Sequence, residues 1–248
     1  MKGLLSDINA SKARNEKQFA LLIDPDSYQD SDQLIDTVHK AEKSGVDFLL
    51  FGGSLITKYD EVDTLKLIKD VTSIPVILFP SSPLQIDNRA DGILFLSLIS
   101  GRNPEYLIGH HVNAAPLLKN SDLEVLPTGY LLIECGKTTT VEYVSNTKPI
   151  PFNKPNIASC TALAGEFMGQ KLIYLDGGSG ADRPISPEMI SEVSQSVTVP
   201  IIVGGGIRTM ESAIEAFEAG ADILVVGNGA EEYPDLIAEM SAAKKQFG

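Results

Sequence analysis

From Phe19 onward the chain alternates short, continuously apolar runs with longer amphipathic stretches. The runs are FALLID (19–24), VDFLLFGG (46–53), PVILFP (75–80) and GILFLSLI (92–99), followed by GYLLIE (129–134), KLIYLDGG (171–178), PIIVGGG (200–206) and ADILVVGNG (221–229). None shows the polar alternation of a half-exposed strand, so each reads as a strand buried on both faces of a parallel sheet. The stretches between them, such as 31–45, 186–197 and 209–220, read as helices. Ser31, Ser186 and Thr209 suit N-caps, while Gly45 and Gly220 suit helix stops. Eight such strands with intervening helices in 248 residues predict an α/β fold, a single (β/α)8 TIM barrel over 1–248.

Internal echoes support repeated βα units. KSGVDFLLFGGS (43–54) and EAGADILVVGNG (218–229) share a helix end, Gly, a small residue, Asp, four apolar residues and Gly. SIPVILFP (73–80) and TVPIIVGG (198–205) share a strand start. Between the third and fourth runs lie only residues 81–91, with Pro83 among them. The third helix is therefore expected to be missing or replaced by extended chain. Residues 134–155 read as the longest loop, placed after a strand end as a lid would be.

Thirty-three acidic against 20 basic side chains give a net charge of −13, which argues against nucleic acid and an anionic membrane surface as partners. No apolar run approaches the ~18 residues of a spanning helix, and the N-terminus carries no leader-like pattern. A soluble, cytoplasmic protein is expected. The two cysteines, Cys135 and Cys160, form no CxxC or Cys/His cluster, which removes disulfide and zinc scaffolds.

A barrel places its chemistry at the C-terminal ends of its strands. The late strands end in glycine: Asp176–Gly180, Gly204–Arg208 and Gly227–Gly229. Glycine lets backbone N–H groups approach a ligand closely, and three such turns at corresponding positions suit a phosphate. One turn alone would need no ligand. The early strands end in oxygen donors, Asp24-Pro-Asp26 and Gly52-Gly-Ser54. Asp24 suits Mg²⁺, with Ser54 as a second oxygen, and equally suits a turn cap. Asp176 could take a proton from a substrate hydroxyl or answer first-turn N–H groups. Arg208 reads as opening a helix, Cys135 as packing, and His39, His110 and His111 as helical residues away from the mouth.

Together, LLIDPD (21–26), FGGS (51–54), TVEYVSNTKPIP (140–151), YLDGGSGA (174–181), GGGIR (204–208) and VGNG (226–229) resemble the geranylgeranylglyceryl phosphate synthases and their heptaprenylglyceryl relatives. The length and the YLDGGSG form are similar to the larger, archaeal and bacterial group of that family. The resemblance implies a Mg²⁺-dependent prenyltransferase that joins sn-glycerol 1-phosphate to a polyprenyl diphosphate. It implies Asp24 and Ser54 at the metal; the placement of Asp176 just before the glycines of the sixth run makes it, on our own reading, the catalytic carboxylate. Tyr174, Leu175, Asp176, Gly177, Gly178, Ser179, Gly180, Gly205, Gly206, Gly227 and Asn228 would bind the glycerol phosphate, in a homo-oligomer. Leu22 stands where the smaller group has Lys, Asp176 where many members have Glu, and ECGKTTT (134–140) lacks the expected glycine-rich stretch. Two other readings share the phosphate pocket: a phosphosugar isomerase or synthase barrel, and a non-catalytic phosphate-ligand-binding barrel.

Overall fold

The computed structural model describes residues 3–28, 30–57, 63–227, 230, 233 and 235–247. Its centre is a closed ring of eight parallel strands in chain order. These are β1 (Gln18–Ile23), β2 (Phe48–Phe51), β3 (Val76–Leu78), β4 (Gly92–Leu98), β5 (Glu124–Leu132), β6 (Leu172–Asp176), β7 (Ile201–Gly204) and β8 (Ile223–Val226). Pairing of β1 with β8, from Gln18↔Ile223 to Leu21↔Val226, closes the ring. The TIM barrel expected from the sequence is the fold.

Side chains alternate across each strand, and both sides are buried. Phe19, Leu21 and Ile23 of β1 pack outward with Leu49, Ile173, Leu175 and Val203 in the layer beneath the helices. Ala20 points inward to Phe48, Leu50, Leu94, Tyr130, Tyr174 and Val225, which fill the barrel. Two buried faces explain why the strands read as unbroken apolar runs.

Around the ring lie α2 (Ser31–Ser44), α3 (Thr64–Val71), α4 (His110–Lys119), α6 (Pro155–Phe167), α7 (Pro187–Ser196), α8 (Met210–Glu218) and α9 (Leu236–Lys244). Ahead of them α1 (Leu4–Ala13) covers the N-terminal end of the barrel, with Leu4, Leu5 and Ile8 in the interior cluster. The backbone N–H groups of Leu4 and Leu5 donate to the Glu124 carboxylate that opens β5. Between β3 and β4 there is a single short turn, Pro83–Gln85, capped by Ser82. The barrel helix that would follow β3 is missing, as the short connection required.

Three local expectations are corrected. Ser186 and Thr209 cap their helices, but α2 is capped by Asp30, whose carboxylate accepts from Asp32 N at 3.0 Å; Ser31 is already helical. Strand β5 begins at Glu124 rather than 129, because Glu124–Thr128 continue the ladder with β4 despite Pro127. Segment 134–155 is not all loop: it contains α5 (Thr140–Ser145), and Ile150 pairs with Ile133. No helix among the described residues is long and apolar enough to cross a membrane.

The aspartate shared by the echoing segments has a structural task. Asp47 accepts from Phe19 N at 2.7 Å, and Asp222 accepts from Ile201 N at 2.9 Å. Asp91, at the start of β4, accepts from Val76 N at 2.7 Å. Each carboxylate takes a strand-start N–H of the preceding strand, and each pairs with a lysine: Lys244, Lys12 and Lys69 respectively. Buried N–H groups left without acceptors are costly, so these residues anchor the barrel base. Asp222→Ala is expected to lower unfolding free energy by ~1–3 kcal/mol. Urea denaturation followed by circular dichroism reads this directly, and an unchanged midpoint would refute the anchoring role.

Candidate active site

The strand ends surround a cavity of about 880 Å³. Its lining includes Leu22 of β1 and Asp24 after it, Gly53 and Ser54 after β2, Tyr174, Asp176, Gly178, Ser179 and Gly180 of the β6 end, Gly205, Gly206 and Arg208 after β7, and Gly227 after β8. Residues far apart in sequence thus meet where the barrel rule places chemistry.

Two of the residues expected here do not line the cavity. Alternation along β6 turns Tyr174 and Asp176 inward and therefore sends Leu175 outward, into the layer beneath the helices. Gly177 lies behind the cavity: its N–H donates to Gly204 O at 3.0 Å, and a Cβ there would stand 3.0 Å from the Cys135 sulfur. Asn228 lies outside the described residues.

The glycine turns are shaped by contact between backbones. Gly205 and Gly206 have φ of +87° and +74°. A Cβ on Gly206 would meet Arg183 O at 2.4 Å, and one on Gly205 would meet Gly177 N at 2.8 Å. The turns after β6 and β7 therefore lie directly against each other, and no side chain fits between them.

Asp176 is buried beneath these turns. One carboxylate oxygen accepts the Tyr130 hydroxyl, and the other accepts Gly178 N at 2.8 Å. Burial pushes its pKa up from the usual carboxylate range, and the two hydrogen bonds oppose that rise. The same burial, with the Asp176 charge nearby, holds the Tyr130 and Tyr174 hydroxyls well above an ordinary phenol. Burial likewise pushes the Cys135 thiol up to about 12, so this side chain packs rather than acting as a nucleophile.

Of the two readings of Asp24, the turn cap is the one observed. Its Oδ1 accepts from Asp26 N at 3.0 Å and caps the turn Pro25–Ser27. Its Oδ2 lies beside Gly53, close enough that a Cβ there would stand 2.7 Å away. A side chain at Gly53 would press on that carboxylate oxygen, next to Ser54. No group of three or more His, Cys, Asp or Glu fit to hold a metal occurs among the described residues. One carboxylate with a neighbouring hydroxyl suits Mg²⁺, which keeps waters and shares phosphate oxygens, and does not suit zinc.

The sequence reading missed a second, apolar cavity of about 830 Å³ on the β3–β4 side. Phe79, Ile86, Phe95, Leu96, Leu98, Tyr106, Tyr130, Val141 and Val144 line it, with His110 and His111 of α4. The histidines are helical as expected, yet they do face a cavity. His111 shares a 3.0 Å hydrogen bond with Ser97 and meets the Phe95 ring edge-on, and burial lowers its pKa. Gly53, Ser54 and Phe79 border both cavities. Phe79 stacks on Tyr174 at 5.5 Å, and Tyr130 meets Tyr174 edge-on at 5.4 Å. The position of Phe79 and Tyr130 in apolar runs at strand ends was their one signal in the sequence.

These features define an α/β barrel whose mouth joins a glycine-walled polar cavity to an apolar one. Residues 11–244 match the model of the PcrB family, and the chain belongs to that family. It is 52% identical to the geranylgeranylglyceryl phosphate synthase of Spirosoma linguale over 95% of this chain and 94% of the relative. It is 51% identical to the synthase of Chitinophaga pinensis, over 94% and 92%. Its fold superposes, with a TM-score of 0.92 and 34% identity over 99% of this chain and 100% of the other, on (S)-3-O-geranylgeranylglyceryl phosphate synthase from Thermoplasma acidophilum in complex with substrate sn-glycerol-1-phosphate.

The raised pKa of Asp176 has a consequence for stability. The folded chain holds its proton to higher pH than the unfolded chain, so above the raised pKa the ionised carboxylate costs folding free energy. That cost fades as pH falls through the raised value and is absent below the unfolded one. Asp176→Asn should therefore raise the thermal midpoint relative to the parent more at pH 8 than at pH 4. Calorimetric melts at both pH values decide it, and the opposite ordering would show that the carboxylate is stabilised where it lies.

Proposed function

We propose that the chain is a Mg²⁺-dependent prenyltransferase. It joins a polyprenyl diphosphate, of geranylgeranyl length, to the C3 hydroxyl of sn-glycerol 1-phosphate, releasing diphosphate and an ether-lipid precursor. The observation that carries this reading is the meeting of the two cavities across Gly53, Ser54 and Phe79. One acceptor is small and phosphorylated, and the donor has an anionic head and a long apolar tail. A polar cavity opening into an apolar one accommodates that pair, whereas a small phosphosugar has no use for the second. The substrate in the Thermoplasma acidophilum enzyme and the names of the relatives support the same assignment.

The chemistry follows from placement. The glycine turns after β6, β7 and β8 hold the acceptor phosphate, which directs its far hydroxyl toward Asp176. The donor tail lies along Phe79, Phe95 and Leu98, so its C1 sits at the border between cavities. The C1–oxygen bond breaks with its electron pair leaving on the diphosphate, the glycerol oxygen bonds to C1, and the hydroxyl proton passes to Asp176. Burial makes this carboxylate a stronger base than an exposed one, and Tyr130 fixes its orientation. Asp24 and Ser54 would hold Mg²⁺, which supplies positive charge to the departing diphosphate.

The deciding assay mixes the protein with Mg²⁺, radiolabelled sn-glycerol 1-phosphate and prenyl diphosphates of graded length, and analyses the dephosphorylated organic extract. A labelled prenylglycerol, best from the geranylgeranyl donor and absent with EDTA, is expected. No product from any donor would refute the transfer. In the same assay Asp24→Asn should cut turnover by at least ~10²-fold while far-ultraviolet circular dichroism stays unchanged. Parent-like turnover at limiting Mg²⁺ would remove Asp24 from the metal.

A further inference from the structure

An acceptor phosphate needs counter-charge, and the polar cavity offers little. Two of its side chains, Asp24 and Asp176, are carboxylates. Among its described lining residues Arg208 is the cation, and its guanidinium donates to Ala181 O at 2.9 Å. Arg183, whose carbonyl touches the β7 turn, turns its guanidinium elsewhere: it lies over the Phe152 ring and pairs with Glu134 at 3.0 Å. Backbone N–H groups and a single guanidinium, one of whose donors is already spent on Ala181 O, would have to carry the charge.

The segment 134–140 supplies a better candidate. It lies flat against the β6 glycine turn. Asp182 N donates to Cys135 O at 3.0 Å, Gly136 has φ +108° and sits on Asp182, and buried Thr139 stands 2.7 Å from where a Gly178 Cβ would be. Held between these contacts, Lys137 places its Nζ 3.4 Å from where a Gly180 Cβ would be. Its partner Asp182 is 3.7 Å away, too far for a hydrogen bond, and both side chains are half-exposed. The ammonium thus reaches the turn without being committed to that carboxylate.

We infer that Lys137 is a positioning residue for the acceptor: its ammonium pairs with the phosphate held on the Ser179–Gly180 turn, with Asp182 competing for the same charge. The inference rests on the acceptor assignment above but not on prenyl transfer itself.

The test measures the Kd of sn-glycerol 1-phosphate by titration calorimetry, beside KM values for both substrates. Lys137→Met should weaken acceptor binding and raise acceptor KM about 10-fold, with kcat and donor KM little changed. Lys137→Arg should restore binding to within about 3-fold, and Asp182→Asn should tighten it, which a purely structural role would not produce. An acceptor Kd unchanged in Lys137→Met, or a change confined to donor KM, overturns the inference. A parent protein that binds the acceptor through Lys137 yet yields no prenyl product refutes the transfer and leaves this assignment standing. A parent that does not bind the acceptor at all overturns both.

Discussion

Closure of the strand ring between β1 and β8 is the constraint on which the rest depends. The pairing of Leu21 with Val226 brings the two ends of the chain side by side. Because every strand is parallel, all eight C-terminal ends emerge on one face. Asp24, three residues beyond Leu21, consequently lies in one cavity with Gly227, one residue beyond Val226. The site straddles this seam, with Asp24 and Ser54 after β1 and β2 on one side and the glycine turns after β6 and β7, with Gly227 after β8, on the other. An open sheet of the same strands would set those two sets at opposite edges.

The two ends of the barrel divide the work. At the base, Asp47, Asp91 and Asp222 each accept a strand-start N–H and pair with a lysine, so the polar groups there satisfy one another. At the mouth, polarity is arranged for a ligand at some cost to folding. Asp176 is a buried carboxylate held by two hydrogen-bond donors, Tyr130 and Gly178 N, and the turns above it leave no room for a side chain at Gly205 or Gly206. Such an arrangement persists because the base and the two apolar layers supply stability that the mouth gives up.

Most of the fold was legible because burial on both faces writes a strand as a solid apolar run. The missing third helix was legible from chain length alone. The start of β5 was not, since Glu124 and Pro127 interrupt the run for reasons outside the strand: one anchors α1, and the other contributes only its carbonyl, which accepts from Lys171 N. A solid run also hides its phase, so Leu175 read like Tyr174 and Asp176 although it faces the other way. The echo between 43–54 and 218–229 was visible, but its meaning as a repeated anchor at Asp47 and Asp222 emerged from the hydrogen bonds. The apolar cavity could not be read, because its wall combines Phe79, Phe95, Tyr106, Tyr130 and Val141 from five separate segments.

The pairing of Asp176 with Tyr130 shows what an aspartate, rather than the longer glutamate, does at this position. A strand fixes the Cα of residue 176, so an aspartate side chain reaches one methylene less far into the cavity. That shorter reach keeps it at the floor, where the Tyr130 hydroxyl from the neighbouring strand and Gly178 N from the turn above each take one oxygen. Burial favours the protonated acid, while both donors favour the anion. The two influences leave an oriented carboxylate that is more basic than a solvated one. Tyr130 also borders the apolar cavity, so the same ring that orients this base touches the wall along which a prenyl tail would lie. Under the proposed assignment one side chain would therefore set both the orientation of the base and the position of the tail, tying the attacking hydroxyl to the carbon it must reach.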